Sequence, residues 1–185
     1  MSKTNGILST LVDVLQRLLR QESTTTPVRS RLPDQPPRTA GEDSGRMPGT
    51  ETVRIDPERI RDLRVSYAPQ RDGAPDAGEV IWTWVPYEEN DGRGKDRPVL
   101  VIGRQSAERV YAVRMTSKPH NGDRDYLSIG SGGWDGQGRE SWVDIEQLYS
   151  VHDRGMRREA AILDKDRYKR VVAALMRRYG WARTD

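Results

Sequence analysis

The stretch Arg97-Pro98-Val99-Leu100-Val101-Ile102 decides the fold class of this chain. After the arginine it is apolar throughout, long enough for a buried strand and too short for a typical helix. Val and Ile also favour strands, because β-branched side chains pack well on a pleated surface. We therefore predict a buried β-strand from Pro98 to Ile102 and interpret the rest of the chain outward from it.

Short segments of the same character lie on both sides of this strand. Val80–Val85 precedes it, is rich in β-branched and aromatic residues, and is stopped by Pro86. The polar loop Glu88–Asp96 separates the two strands. The segments that follow are Val110–Met115, Tyr126–Ile129, Trp142–Ile145, Leu148–Val151 and Ala160–Leu163. Short strands at this spacing predict an antiparallel β-barrel or sandwich.

An amphipathic helix is predicted between Asp164 and Gly180. Asp164 suits the N-cap, Leu163 before it suits a hydrophobic staple, and Gly180 suits the C-terminal cap. The apolar face of the helix is formed by Tyr168, Val171, Val172, Leu175, Met176 and Tyr179. We expect this face to pack on the barrel.

Three segments precede the barrel domain, which we assign to residues 78–185. Residues 1–21 form a predicted amphipathic helix that docks on its own barrel, on a second copy, or on a partner or membrane surface. Its apolar stripe is Ile7, Leu8, Leu11, Val12, Leu15, Leu18 and Leu19. Residues 22–50, rich in Ser, Thr, Pro and Gly, are predicted to be a disordered linker, and residues 51–77 an arm leading into the barrel.

The composition excludes several classes of protein. The chain has no cysteine, which rules out disulfides and thiolate metal sites, and its two histidines are too few for a His-rich metal site. No apolar run reaches the ~20 residues of a membrane span, so we expect a cytoplasmic protein without metal or cofactor. The net charge is only +3, so any contact with nucleic acid must come from local clusters of Arg and Lys.

Four elements follow one another in a fixed order along the predicted barrel. Gly78-Glu79-Val80-Ile81-Trp82 opens the first strand, and Arg97–Ile102 forms the second. Met115-Thr116-Ser117 ends the next strand, and Glu146-Gln147 comes before the closing helix. In this order the chain resembles the PemK/MazF family of toxin endoribonucleases, from Gly78 to Gly180.

The resemblance implies both a fold and an activity. The fold is mainly β with helices (α+β): an SH3-like antiparallel β-barrel with a C-terminal helix. The family further implies a homodimer with an RNA groove across the subunit interface and metal-independent cleavage of single-stranded RNA. It also implies an antitoxin protein as partner, with DNA bound only through the toxin–antitoxin complex.

The same resemblance suggests catalytic residues. Arg97 and Thr116 match the family's catalytic arginine and threonine, and Glu146 matches an acidic position that serves in some members as general base. Arginine can donate bidentately to a phosphate, a hydroxyl can bind a phosphate oxygen, and a carboxylate can accept the 2′-OH proton, which gives a 2′,3′-cyclic phosphate. Asp144 stands where some members place an arginine, so the general acid stays open, with Arg97 as one candidate.

Each of these residues also has an ordinary structural interpretation. Arg97 is compatible with a surface salt bridge, Thr116 with a cross-strand pair, and Glu146 with a solvated ion pair. A barrel of the same shape that binds a protein or nucleic acid without cleaving it is the alternative function. RNA affinity without turnover would distinguish this alternative from the enzyme.

Further residues are predicted to bind RNA. Arg93 and Lys95 lie in a Gly-rich loop that either reaches along RNA phosphates or is an ordinary hairpin loop. Trp134, in another Gly-rich loop, either stacks on a base or covers the core. The remaining candidates are Ser117, Ser141 and His120, the last as a proton shuttle beside Thr116.

Overall fold

The computed structural model describes residues 48–60, 63–70, 72–89 and 91–181, with the backbone alone for residues 158–160. The predicted helix 1–21 and linker residues 22–47 lie outside the described residues. No helix in the described part is long and apolar enough to cross a membrane.

Within the described part, seven strands and one α-helix follow one another along the chain. The strands are β1 (Val53–Ile55), β2 (Glu79–Pro86), β3 (Gly94–Arg104), β4 (Arg109–Thr116), β5 (Tyr126–Gly130), β6 (Ser141–His152) and β7 (Met156–Ile162). The α-helix, α1, spans Lys165–Tyr179, and 3-10 turns span Pro57–Arg59 and Asp153–Gly155.

The strands form one antiparallel sheet in the order β1-β6-β4-β3-β2-β7, with β5 beside β6. The sheet curls until the start of β1 meets the middle of β2, where the hydroxyls of Thr52 and Thr83 lie 2.8 Å apart. Thr83 also donates to the carbonyl of Gly155, which ends the turn before β7. The predicted SH3-like antiparallel barrel with a C-terminal helix is confirmed.

Strand β6 joins two segments that the sequence analysis separates, Trp142–Ile145 and Leu148–Val151. Its register against β4 shifts between the Val113↔Leu148 pair and the Met115↔Val143 pair, which marks a bulge. The side chain of Asp144 stabilises the bulge, because its Oδ1 accepts from the backbone N–H groups of Glu146 (3.0 Å) and Gln147 (3.2 Å). The polar Glu146-Gln147 pair therefore interrupts the hydrophobic pattern without ending the strand.

Strand β3 is apolar throughout its middle because both of its faces are buried. Leu100 and Ile102 point into the larger hydrophobic cluster, which also contains the buried face of α1. Val99 and Val101 point into a smaller cluster on the opposite face of the sheet. A strand covered on both sides reads as a continuous hydrophobic run rather than an alternating one.

Helix α1 begins and ends as predicted. The Asp164 side chain accepts from the backbone N–H of Arg167 at 3.0 Å, and Gly180 adopts the left-handed conformation with φ 69°. Tyr168 fixes the helix to the sheet, since its hydroxyl lies 2.9 Å from the Ser66 carbonyl oxygen and 3.0 Å from that of Ile102. Burial raises the pKa of Tyr168, so the hydroxyl keeps its proton at neutral pH.

Residues 63–67 of the predicted arm are part of the domain. Leu63 and Val65 are buried in the larger cluster, and the Tyr67 hydroxyl donates to the Leu163 carbonyl at 2.9 Å. The arm passes so close to β3 that a Cβ added at Gly103 would lie 2.8 Å from the Arg64 carbonyl oxygen. Glycine at this position is what allows the two backbones to approach.

Gly103→Ala should therefore destabilise the domain by about 1–3 kcal/mol, the usual cost of forcing an extra carbon into a packed site. Urea unfolding would measure the change. Gly136→Ala is the control, because a Cβ there meets no atom within 4 Å and the backbone is not left-handed. An equal effect of the two substitutions would contradict the close packing of the arm on β3.

Candidate functional site

Strand register places the two principal candidates on the same face of the sheet. Arg97 pairs with Thr83 across β2 and β3, and Val99 pairs with Arg114 across β3 and β4. Arg97 and Thr116 each lie two residues beyond this Val99↔Arg114 pair, which is the last β3–β4 pair at this end of the sheet. Directly opposed residues share a face of the sheet, so Arg97, Arg114 and Thr116 project from the same side.

This side of the sheet changes from apolar to polar along the strands. One end carries the smaller hydrophobic cluster, whereas the other end carries charged, hydroxyl and aromatic side chains. We call this end the polar patch; on the strands it comprises Lys95, Arg97, Arg114, Thr116, Tyr126, Trp142 and Asp144. Arg97 is half-buried and makes no ion pair with any residue that the structure describes.

An ion pair between Arg114 and Asp144 forms the buried part of the patch. Arg114 Nη2 lies 2.7 Å from Asp144 Oδ2, and the two side chains are only 14% and 2% exposed. The same nitrogen donates to the Tyr126 hydroxyl at 3.1 Å. Charges this far from water need partners, because burial of an unpaired ion is costly.

A chain of hydrogen bonds runs from the buried Tyr149 hydroxyl to the protein surface. The Tyr149 hydroxyl donates to Gln147 Oε1 at 2.6 Å, and Gln147 Nε2 donates to Glu88 Oε1 at 3.0 Å. Arg114 Nη2 is 3.8 Å from the same Glu88 oxygen. Burial raises the pKa of Tyr149, which keeps it a donor. The Glu88 carboxylate, 62% exposed, is therefore held beside the patch.

His120 borders the polar patch beside Tyr126 and Trp142. Its ring stacks on Tyr126 with centroids 3.5 Å apart and meets Trp142, the cross-strand partner of Thr116, edge-on at 6.4 Å. The Thr116 Oγ1 accepts from the backbone N–H of Lys118 at 3.1 Å, which leaves its proton for donation. Thr116 and His120 thus both neighbour Trp142 on the face of the sheet that carries Arg97, with half-buried Ser117 next along the chain.

Glu146 lies apart from this group. Its side chain is exposed and lines a groove of about 1430 Å³ between residues 51–58 and the end of the β2–β3 hairpin, which we call the β1 groove. No described contact joins Glu146 to Arg97 or Thr116. Arg93 also lines this groove, where Asp91 binds its Nε at 2.6 Å.

Trp134 and Ser141 require a correction. The Trp134 indole is 5% exposed and packs in the larger hydrophobic cluster, and its Nε1 donates to Ser141 Oγ at 2.9 Å. Ser141 is buried as well. The ring folds tightly over Gly132, where a Cβ would lie 2.2 Å from it. The tryptophan covers the core, so these two side chains are unavailable to RNA in this conformation.

The sequence analysis missed Arg114 and Glu88 as members of the site. A signal for Arg114 was present, because it is a charged residue between Val113 and Met115 in an apolar strand, and Asp144 stands in the same way between Val143 and Ile145. Two opposite charges inside neighbouring strands indicate a buried pair. No group of three or more His, Asp or Glu suited to a metal occurs among the described residues.

The comparison with sequence models of known families identifies the family of this chain. The sequence model of the PemK-like, MazF-like toxin of type II toxin–antitoxin systems matches residues 76–178, more than half of the chain. No match was found among curated protein sequences. The chain therefore belongs to the PemK-like, MazF-like toxin family.

The chain is also similar to several solved structures. An endoribonuclease in complex with its cognate antitoxin from Mycobacterial species has 15% identity and a TM-score of 0.47, covering 58% of this chain and 96% of that one. MazE-MazF (Form-III) from Deinococcus radiodurans has 20% identity and a TM-score of 0.45, covering 59% and 99%. Mycobacterium tuberculosis toxin MazF-mt6 has 13% identity and a TM-score of 0.39, covering 55% and 98%.

Asp144→Ala should lower the free energy of unfolding by about 2–4 kcal/mol, since it leaves the Arg114 charge without its closest partner. Asp144→Asn should cost less, because an amide oxygen can still accept from the backbone of the bulge. Asp166→Ala, which removes an exposed carboxylate on α1, should change the stability by less than about 0.5 kcal/mol. Chemical denaturation measures all three. Equal values for Asp144→Ala and Asp166→Ala would refute the structural role of the pair.

Proposed function

We propose that the protein is a metal-independent endoribonuclease that cleaves single-stranded RNA at the polar patch and is the toxin of a toxin–antitoxin pair. The observation that supports this proposal is that Arg97 and Thr116 lie on the same face of the sheet, each two residues beyond the Val99↔Arg114 pair. Membership of the toxin family supports the biological setting. A homodimer, an antitoxin protein that binds it and a cytoplasmic location are parts of the same proposal.

Arg97 is the group suited to the scissile phosphate. It is half-buried and makes no ion pair with a described residue, so its guanidinium is available for a bidentate contact with phosphate oxygens. Lys95, two residues away on the same face, adds positive charge toward the open end of the patch. Thr116 can donate its hydroxyl proton to a non-bridging oxygen and share the charge that develops there.

The reaction needs a proton acceptor and a proton donor. The ribose 2′-oxygen attacks phosphorus and the bond to the 5′-oxygen breaks, which gives a 2′,3′-cyclic phosphate and a 5′-hydroxyl. Contacts with Gln147 and Arg114 hold Glu88 beside the patch to accept the 2′-OH proton, whereas Glu146 is the acceptor that the family pattern implies. We assign Arg97 or His120 to give a proton to the leaving oxygen.

Arg97→Ala should reduce cleavage of end-labelled single-stranded RNA in EDTA by at least about 100-fold, the effect of losing one preorganised donor to the transition state. Thr116→Val should reduce it less, because one hydroxyl is lost without a charge. Arg59→Ala is the control, as Arg59 is an exposed arginine on the 3-10 turn after β1. Gel electrophoresis with mapping of the product ends measures rate and chemistry together.

The same experiment contains the outcome that would reject the enzyme. If wild type binds varied RNAs but leaves them intact, the barrel is a binding module and the catalytic proposal is withdrawn.

Where cleavage is observed, the pH–rate profiles of Glu88→Gln and Glu146→Gln identify the base. The variant that loses the acidic limb of the profile has lost the proton acceptor.

A further inference from the structure

We propose that the β1 groove is a docking site for an extended peptide segment, rich in Lys or Arg, of a protein partner. The proposal does not depend on RNA cleavage, because the groove shares with the candidate catalytic site only the loop that carries Glu88 and the side chain of Glu146. It concerns a surface built partly by residues 51–58, which lie outside the part of the chain matched by the toxin family.

The groove follows the backbone edge of β1. Every residue from Glu51 to Glu58 lines it. Since side chains of a strand alternate between faces, a cleft lined by consecutive residues runs along the edge rather than across one face. Along its other edge, β1 pairs with β6 from Val53↔Ser150 to Ile55↔Leu148. In the described part of the chain, β6 is the strand with which β1 is paired.

A strand edge facing a cleft is a template for a further strand. Unpaired N–H and C=O groups along an edge bind an extended segment by main-chain hydrogen bonds, and side-chain contacts then give specificity. Val53 lies on this edge and is 46% exposed, the exposed large hydrophobic residue of the described part. Trp84 and Pro86 of β2 and Tyr179 of α1 also line the groove and make its lining partly apolar.

The charges of the lining identify the partner as cationic. Five carboxylates and three guanidinium groups line the groove; they are Glu51, Asp56, Glu58, Glu88, Glu146, Arg54, Arg93 and Arg178. Two of the three arginines are bound by acids outside the lining, Arg93 by Asp91 and Arg178 by Asp125. Carboxylates that make no ion pair with a described residue remain at Glu51, Glu58 and Glu146.

An excess of carboxylates disfavours RNA in the groove, because phosphates would be repelled at short range. It favours Lys and Arg, whose aliphatic stems can lie on apolar walls while their charged ends reach carboxylates. In an extended segment every second side chain points the same way. An alternation of basic and apolar residues therefore fits an acidic rim beside Val53 and Trp84.

The test uses the full chain and three fluorescein-labelled nine-residue peptides in fluorescence anisotropy. The first peptide alternates Lys and Val, the second alternates Glu and Val, and the third is the Lys–Val peptide with alternate backbone amides N-methylated. We expect the first to bind at least about ten times more tightly than the second, and N-methylation to remove a similar factor, since it blocks pairing along a strand edge.

Two double variants test whether the Lys–Val peptide binds in the groove. Glu51→Lys combined with Glu58→Lys should weaken binding of the Lys–Val peptide at least about tenfold, since two carboxylates become repulsive charges. The control is Asp166→Lys combined with Glu140→Lys, which makes the same change in net charge outside the groove and should leave the affinity unchanged at matched ionic strength. Circular dichroism confirms that each variant is folded.

Three results would overturn the proposal: equal affinity for the acidic and basic peptides, no effect of the groove variants, or displacement of the bound peptide by a single-stranded RNA oligonucleotide. The last would assign the groove to RNA. Failure here is separable from failure of the proposed function, because Arg97→Ala should strongly reduce cleavage and leave the peptide affinity unchanged.

Discussion

The ion pair between Arg114 and Asp144 is the constraint on which the arrangement of the site depends. One carboxylate oxygen of Asp144 accepts from the two backbone N–H groups of the β6 bulge, and the other binds Arg114 on β4. The bulge lets β6 change register, so that Thr116 pairs with Trp142 beyond it. A buried charge that would be costly alone thus aligns the strand end that carries the candidate catalytic hydroxyl.

The parts of the fold that could be predicted from the sequence are those that local patterns determine. The strands follow from short β-branched runs, and the helix follows from Asp164 and Gly180, whose capping roles require only neighbouring backbone groups. The joining of two segments into β6 could not be predicted in this way. It depends on the side chain of Asp144, which stabilises the bulge and binds Arg114 of β4. The sequence does not show that β4 lies beside it.

The candidate site also contains residues that could be predicted from the sequence and residues that could not. Arg97 and Thr116 could be chosen by motif, because the family order places each at a strand end. The burial of Trp134 could not, since a tryptophan among glycines can fold inward or outward, and the hydroxyl of Ser141 and the space under the ring decide the outcome. Glu88 could not be predicted for a related reason. It lies in a loop, and only its contacts with Gln147 and Arg114 show that it borders the site.

The two-sided burial of β3 has a consequence for its alignment. If this strand slipped by one residue against its neighbours, Val99 and Val101 would exchange places with Leu100 and Ile102, and every one of them would stay out of water. For these four residues, hydrophobicity does not choose between the two alignments, whereas the slip would turn Arg97 to the face of the larger hydrophobic cluster. Gly103, where a Cβ would meet the Arg64 carbonyl, adds a steric reason for the observed alignment. The position of the Arg97 guanidinium thus also depends on the absence of a side chain six residues away.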